Sequence, residues 1–510
     1  MFSRILRYLF SRRFVVIALL AVQASLLIAL LWHYSTTDRV ISAVLTVVSV
    51  LACLYIVNRR DKTAFKLSWC IVILIFPLVG GVMYLLFRIQ SSVSYMRRKY
   101  GDDSESRRAC LKQDQAVASA MTDRDPTLKP QSDYLLKSGF PVYQNAGIQY
   151  FPSGEAAFAV LLERIRAAQR FVFLEFFIID EGEMWNTLLD VLSERAAHGV
   201  DVRILYDDMG CLWTLPDDFR KKVVSRGIRC IAFNPFRPFW TTLQNNRDHR
   251  KIVVVDGEYA MTGGFNLADE YINKKERFGY WKDAAILMQG DAVQSFTVMF
   301  LSMWRSASDE QEDYAPFLQI PAAITAPEDG FVQPYSSNPT QSEHICEYVY
   351  LQTIHHARKY LYIQTPYLII GDAMASALKL AARSGVDVRI MTPGIPDKTF
   401  VYLTTRSHYQ ELIEAGVRIY EYTPGFLHAK IFITDDEIAT VGTANLDFRS
   451  LYLHFECGAR LYHCPVIADI RADFENCVAQ SHPVTLEECR NRSLSTRIMQ
   501  NIARLVAPLL

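Results

Sequence analysis

One layout occurs twice in this chain. Residues 247–266 read RDHRKIVVVDGEYAMTGGFN, and residues 426–445 read FLHAKIFITDDEIATVGTAN. In the first, His249-x-Lys251 is followed by four residues, Asp256, six residues and Gly263-Gly264-x-Asn266. The second gives His428-x-Lys430, Asp435 and Gly442-Thr443-x-Asn445 at the same spacing. Three further blocks repeat in the same order. AQRFVFLEFFIID (Ala168–Asp180) matches ARKYLYIQTPYLI (Ala357–Ile369), AAHGVDVRILYDD (Ala196–Asp208) matches AARSGVDVRIMTP (Ala381–Pro393), and SRGIRCIAFNP (Ser225–Pro235) matches EAGVRIYEYTP (Glu414–Pro424). Four blocks at offsets of about 179–189 residues mark an internal duplication. Apolar β-forming runs alternate with amphipathic stretches such as MWNTLLDVLSERAA and AMASALKLAARS. Each copy is therefore expected to be an α/β sandwich, one over residues 135–325 and the other over 326–510.

The twice-repeated pattern also suggests a chemistry. On a strand, residues i and i+2 share a face, so each His projects beside its Lys. The apolar run Ile252–Val255 that follows gives a rigid base for the pair. The later Gly suits close backbone approach, and Asn266 and Asn445 suit hydrogen bonding to an anion. Two such pairs facing each other fit phosphoryl transfer. A neutral imidazole attacks phosphorus while a protonated one supplies a proton to the leaving oxygen. Two lysines and two asparagines hold the non-bridging oxygens. No metal or other cofactor is required, and no Asp/Glu/His cluster in the sequence has competing metal-ligand spacing.

The carboxylates divide into two groups. Asp256 and Asp435 lie about 13–16 Å from the histidines by strand rise, a position suited to pinning a turn. A nucleophilic histidine needs its second nitrogen oriented by a carboxylate. Asp283 in WKDAAILMQ and Glu456 in HFECGARLY each open an apolar strand after their motif and are the candidates, with plain surface carboxylates as the alternative.

Composition narrows the setting. Net charge is zero, with 54 basic and 54 acidic residues, so no global field draws nucleic acid. Half the residues are hydrophobic and mean hydropathy is +0.07, high for a soluble enzyme. The ten cysteines form no CxxC pair and read as small buried hydrophobes. Residues 1–90 contain three uncharged apolar runs, about 14–32, 40–57 and 67–87, each long enough to cross a ~30 Å hydrocarbon core. The first is too long for a signal peptide, and no small-residue cleavage site follows at HYSTTD. A multi-pass cell-membrane protein is expected, with a polar linker or surface helix over residues 91–134. The basic N-tail and the loop NRRDKTAFK should share the cytoplasmic side. Three crossings then place the catalytic region on the extracytoplasmic face, although Arg88, Arg97, Arg98 and Lys99 argue the other way.

Two stretches have lipid-interface character. FNPFRPFWTTLQNNR combines Phe233, Phe236, Phe239 and Trp240 with Arg237 and Arg247, and either meets lipid or packs on its own domain. Leu494, Ile498, Ile502 and Leu505 fall at helical spacing with Arg497 and Arg504 off the stripe, so that helix either lies on the membrane or docks on the core.

The repeated pattern resembles the phospholipase D superfamily, whose members carry two such motifs. With NRRDKTAFKLSWCIVILIFPLVGGVMYLLF, TGGFNLADEYIN, GTANLDFRSLYLHFE and the ending APLL, the chain is similar to bacterial cardiolipin synthases over nearly its whole length. The resemblance implies two phospholipase D-like α/β/α sandwich domains related by a pseudo-twofold, with the active site at their interface. It implies that two phosphatidylglycerol molecules become cardiolipin plus glycerol through a covalent phosphatidyl-histidine. It also implies that His249, Lys251, Asp256, His428, Lys430 and Asp435 carry the activity, with His249 as nucleophile and His428 as acid and base. One position departs from the pattern: Gly264 stands where the superfamily often has Ser, whereas Thr443 keeps a hydroxyl. The rival readings are a hydrolase releasing phosphatidic acid with the same residues, a nuclease, which zero net charge and the apolar runs disfavour, and a non-catalytic membrane scaffold.

Overall fold

In the computed structural model of the chain, the described residues are 25, 39–59, 61–77, 80–81, 83–84, 109–144, 147–235, 245–308, 310, 312–318, 329–341 and 343–509. Each half of the duplication forms one mixed sheet. The first half supplies β1 (Gln149–Phe151), β2 (Phe171–Phe176), β3 (Asp201–Asp207), β4 (Arg229–Phe233), β5 (Ile252–Val255), β6 (Tyr259–Gly263), β7 (Tyr280–Lys282) and β8 (Ala285–Gln289). The second supplies β9 (Phe331–Ser337), β10 (Tyr360–Gln364), β11 (Asp387–Pro393), β12 (Arg418–Tyr422), β13 (Gly425–Leu427), β14 (Ile431–Thr434), β15 (Ile438–Gly442), β16 (Glu456–Tyr462) and β17 (Ser481–Pro483). The first sheet runs β1-β8-β6-β5-β2-β3-β4 and the second β9-β16-β15-β14-β10-β11-β12-β17. Strand for strand the order is the same, with β17 added at the edge. In both sheets three neighbouring strands are parallel, β2-β3-β4 and β10-β11-β12, and the rest are antiparallel.

Strands covered on both faces read as continuous apolar runs. That is why β2, β5 and β14 are buried at every position. Each branched or aromatic side chain hidden there contributes roughly 1.5–3 kcal/mol. Helices cover the sheets, among them Gly154–Ala167 and Glu183–Ala197 in the first half and Ile345–His356 and Asp372–Arg383 in the second. Helix Val293–Ser308 is buried along most of its length and belongs to a hydrophobic core that draws on both halves. The two halves also join directly: β7 pairs in parallel with β13 in a separate two-stranded sheet, and Asp248 forms an isolated parallel bridge with Phe455.

The stretch expected as a polar linker is folded from Gln115 onward. Helix Gln115–Arg124 and the 3-10 turn Pro126–Leu128 carry Met121 and Leu128 into a small apolar cluster with Phe331, Ile438 and Tyr462 of the second half, and helix Lys129–Lys137 follows.

Among the described residues no helix is long and apolar enough to cross a membrane. The expected first span lies outside the described residues apart from residue 25. The second run forms helix Arg39–Val57, which packs against helix Thr63–Ile75. The third run, expected as one span over 67–87, departs from that expectation. Its α-helix stops at Ile75 because Phe76 precedes Pro77, whose ring disfavours helical geometry in the residue before it. The Trp69 and Tyr84 rings nevertheless lie 5.5 Å apart. A continuous helix separates residues fifteen positions apart by about 22 Å. A Cβ added at Gly80 would meet the Ile73 Cα at 2.7 Å. The run therefore folds back on itself, and glycine permits the close approach.

The C-terminal helix Leu494–Val506 settles on helix Thr399–Ser407 with Gln500 and Ala503 inward, while Leu494, Ile498, Met499 and Ile502 face outward. Of the aromatic and basic stretch Phe233–Arg247, positions 236–244 lie outside the described residues, whereas Phe233 and Arg247 are buried.

Candidate active site

Both His–Lys pairs sit at the seam, and each is fixed by the opposite half. The His249 backbone N–H donates to the Phe455 carbonyl at 2.9 Å, and the His428 N–H donates to the Lys282 carbonyl at 2.7 Å. Phe455 and Lys282 immediately precede Glu456 and Asp283. The same seam thus delivers each carboxylate to the histidine of the other half. His249 Nδ1 lies 2.9 and 3.0 Å from the Glu456 oxygens, and His428 Nδ1 lies 2.8 Å from Asp283 Oδ2. With Nδ1–H donated to a carboxylate, Nε2 of each ring keeps its lone pair. Lys251 Nζ donates to the His249 carbonyl at 2.6 Å, and Lys430 donates to the His428 carbonyl. All six side chains are buried. Phe177 packs edge-on to the His249 ring at 5.0 Å, and Tyr271, Trp281 and Phe426 stand 5.5–5.8 Å from that of His428.

Burial and shared positive charge set the protonation. Burial, then Lys251 and Lys430, hold His249 well below the usual imidazole value. Burial and Lys430 lower His428 to about 4. Burial brings Lys251 down to about 8 and Lys430 to about 7. Two neutral imidazoles beside two ammonium groups make a site short of an anion. The orienting acids differ. Burial pushes Glu456 up to about 7 against the pull of Lys251 and the Thr443 hydroxyl. Burial also works against Asp283, but the charge and hydrogen bond of His428 hold it below the ordinary aspartate value.

The two aspartates of the repeated pattern are not at this centre. Asp256 accepts from the backbone N–H groups of Gln169, Arg170 and Phe171 at 2.7–2.8 Å, and Asp435 accepts from those of Arg358, Lys359 and Tyr360 at 2.6–2.9 Å. Both occupy left-handed turn positions, with φ of 56° and 57°. They tie the far end of the histidine-bearing strand to the strand beside it. This corrects the role that the family resemblance lends them: they position the site and touch no reacting group. Asn266 is also largely committed to the scaffold. Its Oδ1 accepts from Ile178 N–H at 3.0 Å and its Nδ2 donates to Tyr271 Oη at 2.7 Å, leaving one amide hydrogen. Asn445 Oδ1 is buried and accepts no hydrogen bond.

The Gly264/Thr443 difference has a local cause. Thr443 Oγ1 donates to Glu456 Oε2 at 2.5 Å and so steadies the acid behind His249. A Cβ at Gly264 would stand 2.1 Å from Asp283 Oδ1 and 2.9 Å from the His428 carbonyl. The shorter acid occupies the space that a side chain would need.

Sequence reasoning missed His454. Its ring lies 5.6 Å from that of His249, and its Nδ1 lies 3.8 Å from Glu456 Oε1. The signal was available, since His454 stands two residues before Glu456 and so on the same face of the chain. His249, His454 and Glu456 bring ligand-type atoms within 4.8 Å of one another. The ammonium groups of Lys251 and Lys430 act on the same histidine and oppose a divalent cation there.

Comparison with known proteins identifies the family. The chain matches the family described as cardiolipin synthase, phospholipase D-like domain, over residues 161–304 and 350–478. Residues 44–88 match the phospholipase D-nuclease N-terminal family. The chain belongs to the phospholipase D-like cardiolipin synthase family. It is 34% identical to a cardiolipin synthase of Geobacillus thermodenitrificans, covering 92% of this chain and 94% of that one. An uncharacterised protein of Streptococcus mutans is 42% identical over 90% of this chain and 99% of its own length. Among solved structures, phosphatidylserine synthase of Haemophilus influenzae shares the fold, with a TM-score of 0.56 and 15% identity over 74% of this chain and all of that one.

Proposed function

We propose that this membrane-anchored phosphatidyltransferase joins two phosphatidylglycerol molecules into cardiolipin and releases glycerol. The observation that carries the reading is the crossed pair of buried histidines, each held by a carboxylate from the other half beside two buried lysines. His249 Nε2 attacks the phosphorus of the first lipid. The bond from phosphorus to the departing glycerol oxygen breaks, and His428, which takes up a proton at Nε2 when the anionic phosphodiester binds, supplies that oxygen with it. His428 then removes a proton from a headgroup hydroxyl of the second lipid. The resulting oxygen attacks phosphorus, the phosphorus–nitrogen bond breaks, and His249 returns to its starting state. Lys251 and Lys430 hold the non-bridging oxygens throughout. Asp283, held ionised, supports an imidazolium at His428 and so fits the acid and base role. Asn445 borders the phosphate, and Asn266 acts through Tyr271, which packs on His428.

Support for anchoring comes from the apolar stretch matched to the N-terminal family, residues 44–88, and from the outward apolar residues of helix Arg39–Val57. The fold-back at Pro77 withdraws the third crossing. In this reading the catalytic halves stand on the cytoplasmic side of the membrane. Arg88, Arg97, Arg98 and Lys99 favour that side as well.

The test is direct. Purified protein is incubated with phosphatidylglycerol in mixed micelles, and products are read by mass spectrometry alongside His249→Ala and His428→Ala. Cardiolipin with free glycerol, lost in both variants, supports the proposal. Phosphatidic acid without cardiolipin overturns it in favour of a hydrolase, and activity surviving both substitutions removes the histidines from the mechanism.

A further inference from the structure

We infer that a cavity at the foot of the N-terminal helices binds an acyl chain of the phospholipid being processed. The inference rests on the reading that the substrate is a phospholipid. The cavity has a volume of about 560 Å³, within the range of ~300–1,000 Å³ typical of small-molecule sites. It opens where three parts of the chain meet: the start of helix Thr63–Ile75, the end of helix Leu494–Val506 and the second half-domain. Ser68 Oγ donates to the Leu505 carbonyl at 2.7 Å, which clips the chain's two ends together over the cavity.

The lining points to an apolar ligand. Its surface is mostly apolar, with Ala64, Leu67, Ile369, Ile370, Phe448 and Leu505 among the lining. The lysine and arginine of the lining are both engaged. Lys62 pairs with Glu347 at 2.7 Å, and Glu347 also accepts from Tyr452 Oη at 2.7 Å. Arg504 pairs with Glu411 at 2.7 Å. A phosphate would have to break these pairs, whereas a hydrocarbon chain leaves them intact.

Position identifies the source of the chain. One wall follows directly from the second repeated motif: Ile369 N–H donates to the Leu446 carbonyl at 2.7 Å, next to Asn445, and Phe448 comes two residues later. The other walls continue into apolar faces open to the outside. Leu67, Leu74, Ile75 and Phe76 are exposed on one helix, and Leu494, Ile498, Met499 and Ile502 on the other. An amphipathic helix of this kind lies in the membrane interface. The cavity therefore stands between a lipid-facing surface and the catalytic seam, where one chain of a bound lipid can remain in hydrocarbon while its phosphate reaches His249.

The experiment uses the full-length protein in lipid nanodiscs doped with phosphatidylglycerol bearing a diazirine near one acyl terminus. After irradiation, labelled peptides are mapped by mass spectrometry. Label should concentrate on residues 63–68, 369–373 and 501–508. Ala64→Phe and, separately, Leu67→Trp at a partly open position should reduce that label. Each should also lower the ratio of kcat/KM for dioleoyl to dihexanoyl phosphatidylglycerol about tenfold, the equivalent of about two methylene groups losing their burial. Label confined to other segments, or a ratio unchanged in both variants, overturns the inference and leaves the cavity to another part of this chain. Labelling needs no turnover, so the two proposals fail separately. Cavity label without cardiolipin formation refutes the proposed reaction, and cardiolipin formation without cavity label refutes the acyl-chain site.

Discussion

Placing serine at Gly264 brings the first motif closer to the common family pattern, and the structure says it will disable the enzyme. The new Cβ would stand 2.1 Å from Asp283 Oδ1 and 2.9 Å from the His428 carbonyl. Asp283 has little freedom to give way, because Oδ1 accepts from Ala284 N–H at 2.8 Å and Oδ2 pairs with His428 at 2.8 Å. Restoring ordinary contact requires the carboxylate to retreat by about 1 Å or more. That breaks or badly stretches a buried charged hydrogen bond worth roughly 1.5–3 kcal/mol. The corresponding loss is about 10- to 150-fold in kcat, in line with the ~100-fold that a 1 Å misplacement costs an aligned site. The assay is cardiolipin formation from phosphatidylglycerol in mixed micelles at saturating lipid, with circular dichroism to confirm folding. Gly264→Ala should fall by a similar factor, since the methyl rather than the hydroxyl does the damage. A folded Gly264→Ala that keeps more than a third of wild-type kcat refutes the steric reasoning. A Gly264→Ser variant that exceeds wild type shows that the first half lacks only a hydroxyl.

Three other perturbations test separate parts of the site. Burial brings Lys430 to about 7 and Lys251 to about 8, so both lose their ammonium charge as pH rises through those values; kcat/KM should fall from pH ~7 to ~9.5, and a flat profile removes the lysines from phosphate binding. Asp256→Asn replaces one of two oxygens that accept three backbone N–H bonds, so thermal unfolding should shift down by roughly 1–4 °C while kcat of the folded protein changes less than about threefold; a large kcat loss at unchanged stability restores a catalytic role. Asn266→Leu strands the Ile178 N–H and the Tyr271 hydroxyl in a buried setting at about 1–3 kcal/mol each, so chemical denaturation should show a clear loss of stability, and a variant as stable as wild type excludes the scaffold role.

The duplication was legible in the sequence because each block carries its own local pattern. The strands before and after His249 and His428 appear where the apolar runs lie. Asp283 and Glu456 were legible as candidates because each opens a strand. Their exchange between halves was not, because pairing across 145 and 207 positions is a property of the seam and has no local signature. The third apolar run shows a different limit. Hydropathy counts apolar residues but carries no direction, so it reads a fold-back as a span, although Pro77 and Gly80 marked the bend. The outward face of the C-terminal helix was undecided for a similar reason, since an apolar stripe does not say what covers it. For Asp256 and Asp435 two readings stood side by side: motif membership lent them a part in the activity, whereas their distance along the strand already placed them at the turn.

The exchange of carboxylates makes the two halves mutual custodians. A chain cut after residue 325 would retain His249 and Lys251 but forfeit the acid that aims the imidazole, and the complementary fragment would be left with His428 in the same condition. Damage to Glu456 is felt in the half that does not contain it. Neither copy can therefore drift or be lost independently, and a separation of the seam by the length of one hydrogen bond would silence both histidines together.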